Sequence, residues 1–153
     1  MKSQKWTAIC LATLAIGLGA STAEARRVPG WAGTADPPGS GNCWSISAGR
    51  LKLACYTAGD HFYQVPLALD STNSLTASWQ QGYDGFSTGT VMGRVASINQ
   101  DGTVLQAPAY QSGVGLKTQT IFVPNNGTAM LTIDMQAPGG LSNAYVSYIT
   151  WTP

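Results

Sequence analysis

Along Leu75-Thr76-Ala77-Ser78-Trp79-Gln80 every second residue is apolar, and the same two-residue period runs through Leu51 to Cys55 and through Ala129 to Met135. Successive side chains of an extended strand point to opposite faces, so each of these segments buries one face and wets the other. Further runs rich in β-branched and aromatic residues are Phe62 to Leu69, Thr90 to Ile98, Thr103 to Ala107, Leu116 to Val123 and Tyr145 to Trp151. Pro66 has no N–H for a ladder and belongs at an edge. Beyond residue 25 no stretch carries an apolar stripe at helical spacing. Glu occurs only at position 24, and Lys in that region only at 52 and 117, so the best formers of exposed helices are nearly missing. The expected fold is all-β, a two-sheet antiparallel β-sandwich or jelly roll of about eight strands with one disulfide; a small barrel is the second architecture.

The turns carry matching chemistry. Asn126-Gly127 predicts a tight type I′ hairpin that sets Phe122 opposite Leu131 and Thr120 opposite Ile133. Asp101-Gly102 predicts a second hairpin after Ile98. With Ala48-Gly49-Arg50 as a turn, Cys43 stands across from Cys55, and in an oxidising compartment two such cysteines pair. A redox role favours closer spacing, and a zinc site needs more Cys or His ligands than are present.

That compartment is argued from the first residues. Lys2 and Lys5 precede an apolar run from Trp6 to Ala20, and Ser21-Thr22-Ala23-Glu24-Ala25 offers small residues at alternate positions. This is the pattern of a secretory signal peptide cleaved after Ala25, and the run is shorter than a membrane span. Cys10 lies within the run rather than at the cleavage point, which argues against a lipid anchor. The expected organisation is therefore a signal peptide at 1–25, a Pro/Gly-rich N-terminal arm at 26–42, and a β-sandwich domain at 43–153. Trp31 in the arm is expected to dock on the domain. Secretion or release to the periplasm follows, without membrane insertion.

Past residue 25 six cations (Arg26, Arg27, Arg50, Lys52, Arg94, Lys117) balance six aspartates (Asp36, Asp60, Asp70, Asp84, Asp101, Asp134). A chain with no basic stripe cannot neutralise a row of phosphates, so nucleic acid is excluded as a partner class. The surface is left to Thr, Ser, Gln and Asn, which suits neutral polar ligands.

Tempting chemical motifs fail on context. Gly85-Phe86-Ser87-Thr88-Gly89 fits the pattern of a hydrolase elbow, but that motif needs a following helix and a later histidine, whereas His61 precedes Ser87. Next to Asp60, His61 reads as a satisfied strand-start side chain. The segment Ser97 to Gly102 resembles part of a calcium loop, with Pro108 where the bidentate Glu belongs. Neither a catalytic residue nor a metal ligand is assigned, and no cofactor is expected, although a structural calcium bound by loop aspartates and carbonyls is compatible with the sequence. Paired aspartates for glycoside cleavage make a hydrolase a distant third reading, because most of the aspartates sit in predicted turns. Asn126-Gly127-Thr128 has the form of a glycosylation sequon, but the tight turn accounts for it.

Two polar-aromatic loops remain, Gln80 to Phe86 and Pro108 to Gly113. Rings among amides and a carboxylate suit a sugar. The sequence thus points to an exported non-catalytic binding module for carbohydrate or another neutral polymer, with Tyr83, Phe86 and Tyr110 stacking and Asp84 and Gln111 hydrogen-bonding. The second reading is a surface-structural or protein-interaction component that uses the arm or an edge strand.

Overall fold

The computed structural model describes residues 25–36, 43–54, 58–69, 74–85, 89–137 and 143–152. They form twelve strands: β1 (Arg26–Pro29), β2 (Thr34–Asp36), β3 (Trp44–Ser47), β4 (Arg50–Leu53), β5 (Gly59–Leu67), β6 (Ser74–Tyr83), β7 (Thr90–Ile98), β8 (Val104–Gln106), β9 (Gln111–Ser112), β10 (Gly115–Phe122), β11 (Thr128–Ala137) and β12 (Ala144–Thr152). All pairings are antiparallel. One sheet, A, runs β10-β6-β12-β4-β3 with β1 also on β12; the other, B, runs β2-β5-β11-β7-β8 with β9 also on β7.

The alternation read from the sequence is the packing of this sandwich. Leu75, Ala77 and Trp79 of sheet A and Leu131, Ile133 and Met135 of sheet B are all buried in one core. Their intervening neighbours face outward. Trp79 is fully buried, and Gly93 of the opposite sheet makes room for it: a Cβ there would lie 2.6 Å from the indole nitrogen. Pro66 pairs with Met130 of β11 and lies beyond the reach of β2, which meets β5 only at residues 62–64. At that point β5 is the sheet edge, as proline requires.

Three expectations need correction. Asn126-Gly127 does not close a hairpin, because β10 belongs to sheet A and β11 to sheet B. A type I′ turn needs positive φ at both central residues, and here Asn126 has it (62°) but Gly127 does not. The bend is instead a turn from Pro124 to Gly127, closed by Gly127 N–H donating to Pro124 O, and it passes the chain between sheets. Second, the β3–β4 turn is Ala48-Gly49, with Ser47 paired to Arg50. That register sets Cys43 beside Ala54, whose N–H donates to Cys43 O; Cys55 lies outside the described residues. Third, the stretch expected as an arm is woven into the fold. Its β1 pairs with β12 in sheet A and its β2 with β5 in sheet B. The Tyr63 hydroxyl lies 2.8 Å from Trp31 O and 2.6 Å from Gly33 O, fastening the crossing between them. Trp31 itself keeps 41% of its surface exposed.

The Asp101-Gly102 hairpin is present. Ile98 pairs with Val104, and Asp101 Oδ1 accepts from both the N–H and the hydroxyl of Thr103. These bonds hold the Asp101 carboxyl below its usual range. No α-helix occurs among the described residues, and none of their elements is a helix able to cross a membrane.

Candidate functional site

The outward residues of sheet B line a groove of about 320 Å³. Its floor is built by alternate residues of neighbouring strands: Phe62 and Gln64 from β5, Met130 and Thr132 from β11, and Arg94, Ala96 and Ile98 from β7. Asp36 closes one side, and Tyr110 with Val104 the other. Because side chains of a strand repeat every second residue, the same periodicity that fills the core also lays out this face.

Tyr110 is positioned by both stacking and loop anchoring. The Arg94 guanidinium lies 4.4 Å from the centre of its ring. Burial raises the Tyr110 hydroxyl above its usual range, and the Arg94 charge opposes that rise. The loop beneath is pinned by three glutamines. Gln119 Nε2 donates to Ala109 O while its Oε1 accepts from Val95 N–H. Gln111 Nε2 donates to Thr118 O. Gln81, fully buried, donates to Gly113 O at 2.7 Å and approaches Gln111 O and Val91 O at 3.1 Å. Amides suit this task because each offers donors and an acceptor to stranded backbone groups.

Polar groups flank the ring. On the Asp36 side, Gln64 Nε2 donates to the Asp36 carboxylate. Asp134 follows Thr132 on the outward side of β11 and is 5% exposed. Its Oδ1 and the Nε of Arg94 are buried without a hydrogen-bond partner. Desolvation, and then the nearby Asp60 charge, lift the Asp134 carboxyl to about 6, with His61 acting the other way. An unmatched buried acceptor of this kind costs free energy until a donor reaches it.

The five residues expected at a site are divided by the fold. Tyr110 stands at the groove, and Gln111 serves the loop beneath it. Tyr83 packs against the core, where its hydroxyl accepts from Val91 N–H at 2.9 Å. Asp84 lies with sheet A and pairs with Arg50 and Lys52; the hydrogen bond from Lys52 contributes most to holding its carboxyl below the usual range. Phe86 and Ser87 lie outside the described residues. The next element after Ser87 is the strand β7, where a hydrolase elbow requires a helix. Among the described residues no group of three or more His, Cys, Asp or Glu is arranged to hold a metal. Sequence reading missed Arg94, Asp134, Asp36 and Gln64. The signal available for Arg94, Asp134 and Gln64 was their place on the polar side of alternating strands; Asp36, in the Pro/Gly-rich stretch, carried none.

No protein-family profile matches the chain, and no curated protein matches its sequence. Solved structures do match in fold. The isomalto-dextranase of Arthrobacter globiformis T6, complexed with panose, superposes with a TM-score of 0.51 at 13% identity over 83% of this chain. A GH26-CBM35 β-(1,4)-mannanase of Podospora anserina gives 0.51 at 10% identity over 86%. This chain spans 23% and 28% of those two chains, respectively. The CBM35 of Paenibacillus barcinonensis, matched over 98% of its own length, gives a TM-score of 0.49 at 14% identity over 84% of this chain.

Proposed function

We propose that this protein is an exported, non-catalytic carbohydrate-binding module that takes a neutral polysaccharide in the groove of sheet B. The observation that carries the reading is the Tyr110 ring, held by the Arg94 guanidinium at the side of a groove that Asp36, Gln64 and Thr132 also line. A sugar presents an apolar C–H face to an aromatic ring and hydroxyl donors at its rim. Tyr110 and Met130 meet the face; Thr132 and the Asp36–Gln64 pair meet the rim. Such mixed lining is typical of small-molecule sites. The fold neighbours, an isomalto-dextranase complexed with panose and a GH26-CBM35 mannanase, support the same ligand class. A polysaccharide ligand also accords with action outside the cytoplasm, where the N-terminal pattern would send the chain.

The test is titration of the purified protein with neutral polysaccharides, dextran and mannan first, with and without calcium. Saturable binding that falls about tenfold in Tyr110→Ala, on the scale of a well-packed aromatic contact, supports the groove. Binding untouched by both Tyr110→Ala and Gln64→Ala removes it as the site. Calcium dependence would bear on the loop-bound ion that the sequence allows.

A second reading as a protein-interaction surface has one observation behind it. Val104, Leu105, Val114, Leu116 and Phe122, all from one segment, each expose 46–63% of their surface. Pairing through the β10 edge is impeded, since Gln106 accepts from Phe122 N–H and Gln111 donates to Thr118 O. Leu105→Ser with Phe122→Ser, followed by light scattering, checks whether this patch holds two copies together.

A further inference from the structure

The outer face of sheet A, on the far side of the sandwich from the groove, carries different chemistry. β12 is bulged between Val146 and Ile149. Its first half pairs with β4 and its second half with β1, so β1 and β4 lie along β12 in succession and leave a break between them. There a cleft of about 390 Å³ is lined by Arg27, Val28, Pro29, Gly49, Ser147 and Tyr148.

An arginine stacked on a tyrosine stands on each side of this break. Arg27 lies 4.7 Å from the centre of the Tyr148 ring, and Arg50 4.2 Å from that of Tyr145. A guanidinium held over a ring is ordered in advance for a planar, two-oxygen partner; Arg50 already gives one N–H group to Asp84. The charges do not balance. Arg50 and Lys52 share the single carboxylate of Asp84, and no ion pair engages Arg27 among the described residues. Beside the cationic band lies a band of surface hydroxyls, with Thr76 bonded to Thr120 and Ser78 to Thr118, each at 2.8 Å.

We infer that this face is a second binding site, for an acidic polysaccharide whose sugar residues carry carboxylates. Arg27 and Arg50 each receive one carboxylate of the polymer in a forked, charge-assisted pair, and the hydroxyl band, across β12 from both arginines, meets ring hydroxyls along the polymer's flank. Asp84 competes for Arg50 and Lys52 and so moderates the site. The inference is independent of the neutral groove, whose residues lie on the other sheet.

The test uses polygalacturonate, its methyl-esterified neutral form, and polyglutamate as probes in affinity electrophoresis of the purified protein at low and high salt. The expected result is retardation by polygalacturonate alone, weakened by salt. Arg27→Gln should weaken it about tenfold, in keeping with loss of a charge-assisted pair, and leave neutral-polysaccharide binding unchanged. Asp84→Asn should tighten it by releasing two cations. Arg27 is exposed, so its replacement does not threaten the fold. Absence of retardation, equal retardation in Arg27→Gln, weaker binding in Asp84→Asn, or equal binding of polyglutamate would each overturn the inference.

Discussion

The indole N–H of Trp79 donates to Gln81 Oε1 at 2.7 Å, and this bond ties the deepest aromatic side chain of the core to the loop that presents Tyr110. Gln81 faces inward between β6 and β7, where an alternating strand would place an apolar residue. Its amide instead passes the hydrogen-bonding demand of the indole out to Gly113 O, near the surface.

Replacing Gln81 by Leu keeps the volume and removes the amide. The Trp79 N–H and the Gly113 carbonyl then lose their partner, at a cost of about 1–3 kcal/mol for stranded buried groups. We expect a lower urea midpoint, faster amide exchange across residues 109–115, and weaker neutral-polysaccharide binding, although Gln81 itself lies beneath the groove. A variant that loses stability but keeps full affinity would show that the loop is placed without it.

Asp134 makes stability fall as pH rises. Its carboxyl titrates at about 6 in the folded chain and near 4 when unfolded. Between those values the native state holds more protons than the unfolded state, so stability declines from about pH 4 to about pH 6 and is level above. The rise of the carboxyl from near 4 to about 6 sets an upper bound of about 3 kcal/mol. Asp134→Asn should flatten the thermal midpoint against pH and raise it at pH 7 to 8. An unchanged profile in that variant would refute the assignment.

Ala48 adopts φ 52° in the turn between β3 and β4, beside Gly49 at 74°. The left-handed region costs a side-chain-bearing residue about 1–2 kcal/mol, while Asn tolerates it through local hydrogen bonds. Ala48→Asn should therefore stabilise the protein by up to about 1 kcal/mol, read as a shift in denaturant midpoint at unchanged slope.

Cys43 and Cys55 are expected to form a disulfide in the folded protein. Peptide mapping without reductant should recover them as one linked fragment, and Cys43→Ser should destabilise by no more than about 3 kcal/mol, since the loop enclosed is short. Two titratable thiols in the native protein, purified without reductant, would exclude the bridge.

The strands were legible in the sequence because their cause is local. Whether Trp79 or Ser78 faces the core depends on the two-residue repeat and on which side chain avoids water, and both are written in adjacent letters. The same holds for the Asp101-Gly102 turn, whose hydrogen bonds stay within five residues.

Strand partnership was not legible. Two strands flanking Asn126-Gly127 show compatible apolar patterns whether they pair or lie in opposite sheets, because each buries one face in either case. Only the competition among all strands sends Phe122 to sit opposite Ser74 and Thr128 opposite Ile98. The Pro/Gly-rich opening likewise has too few apolar residues to announce strands, and forms them because β5 and β12 offer open edges.

The candidate site divides along the same line. Tyr110 and Gln111 were visible as loop residues, and Tyr83 and Asp84 looked equivalent to them in composition. Packing turned Tyr83 inward and set Asp84 against two cations on the other sheet. Sequence by itself determined which residues lie in and which lie out, through the period of the strand. Only the tertiary structure decided which outward residues share a face, because Asp36, Arg94, Tyr110 and Thr132 line one groove through strand pairings that join distant parts of the chain.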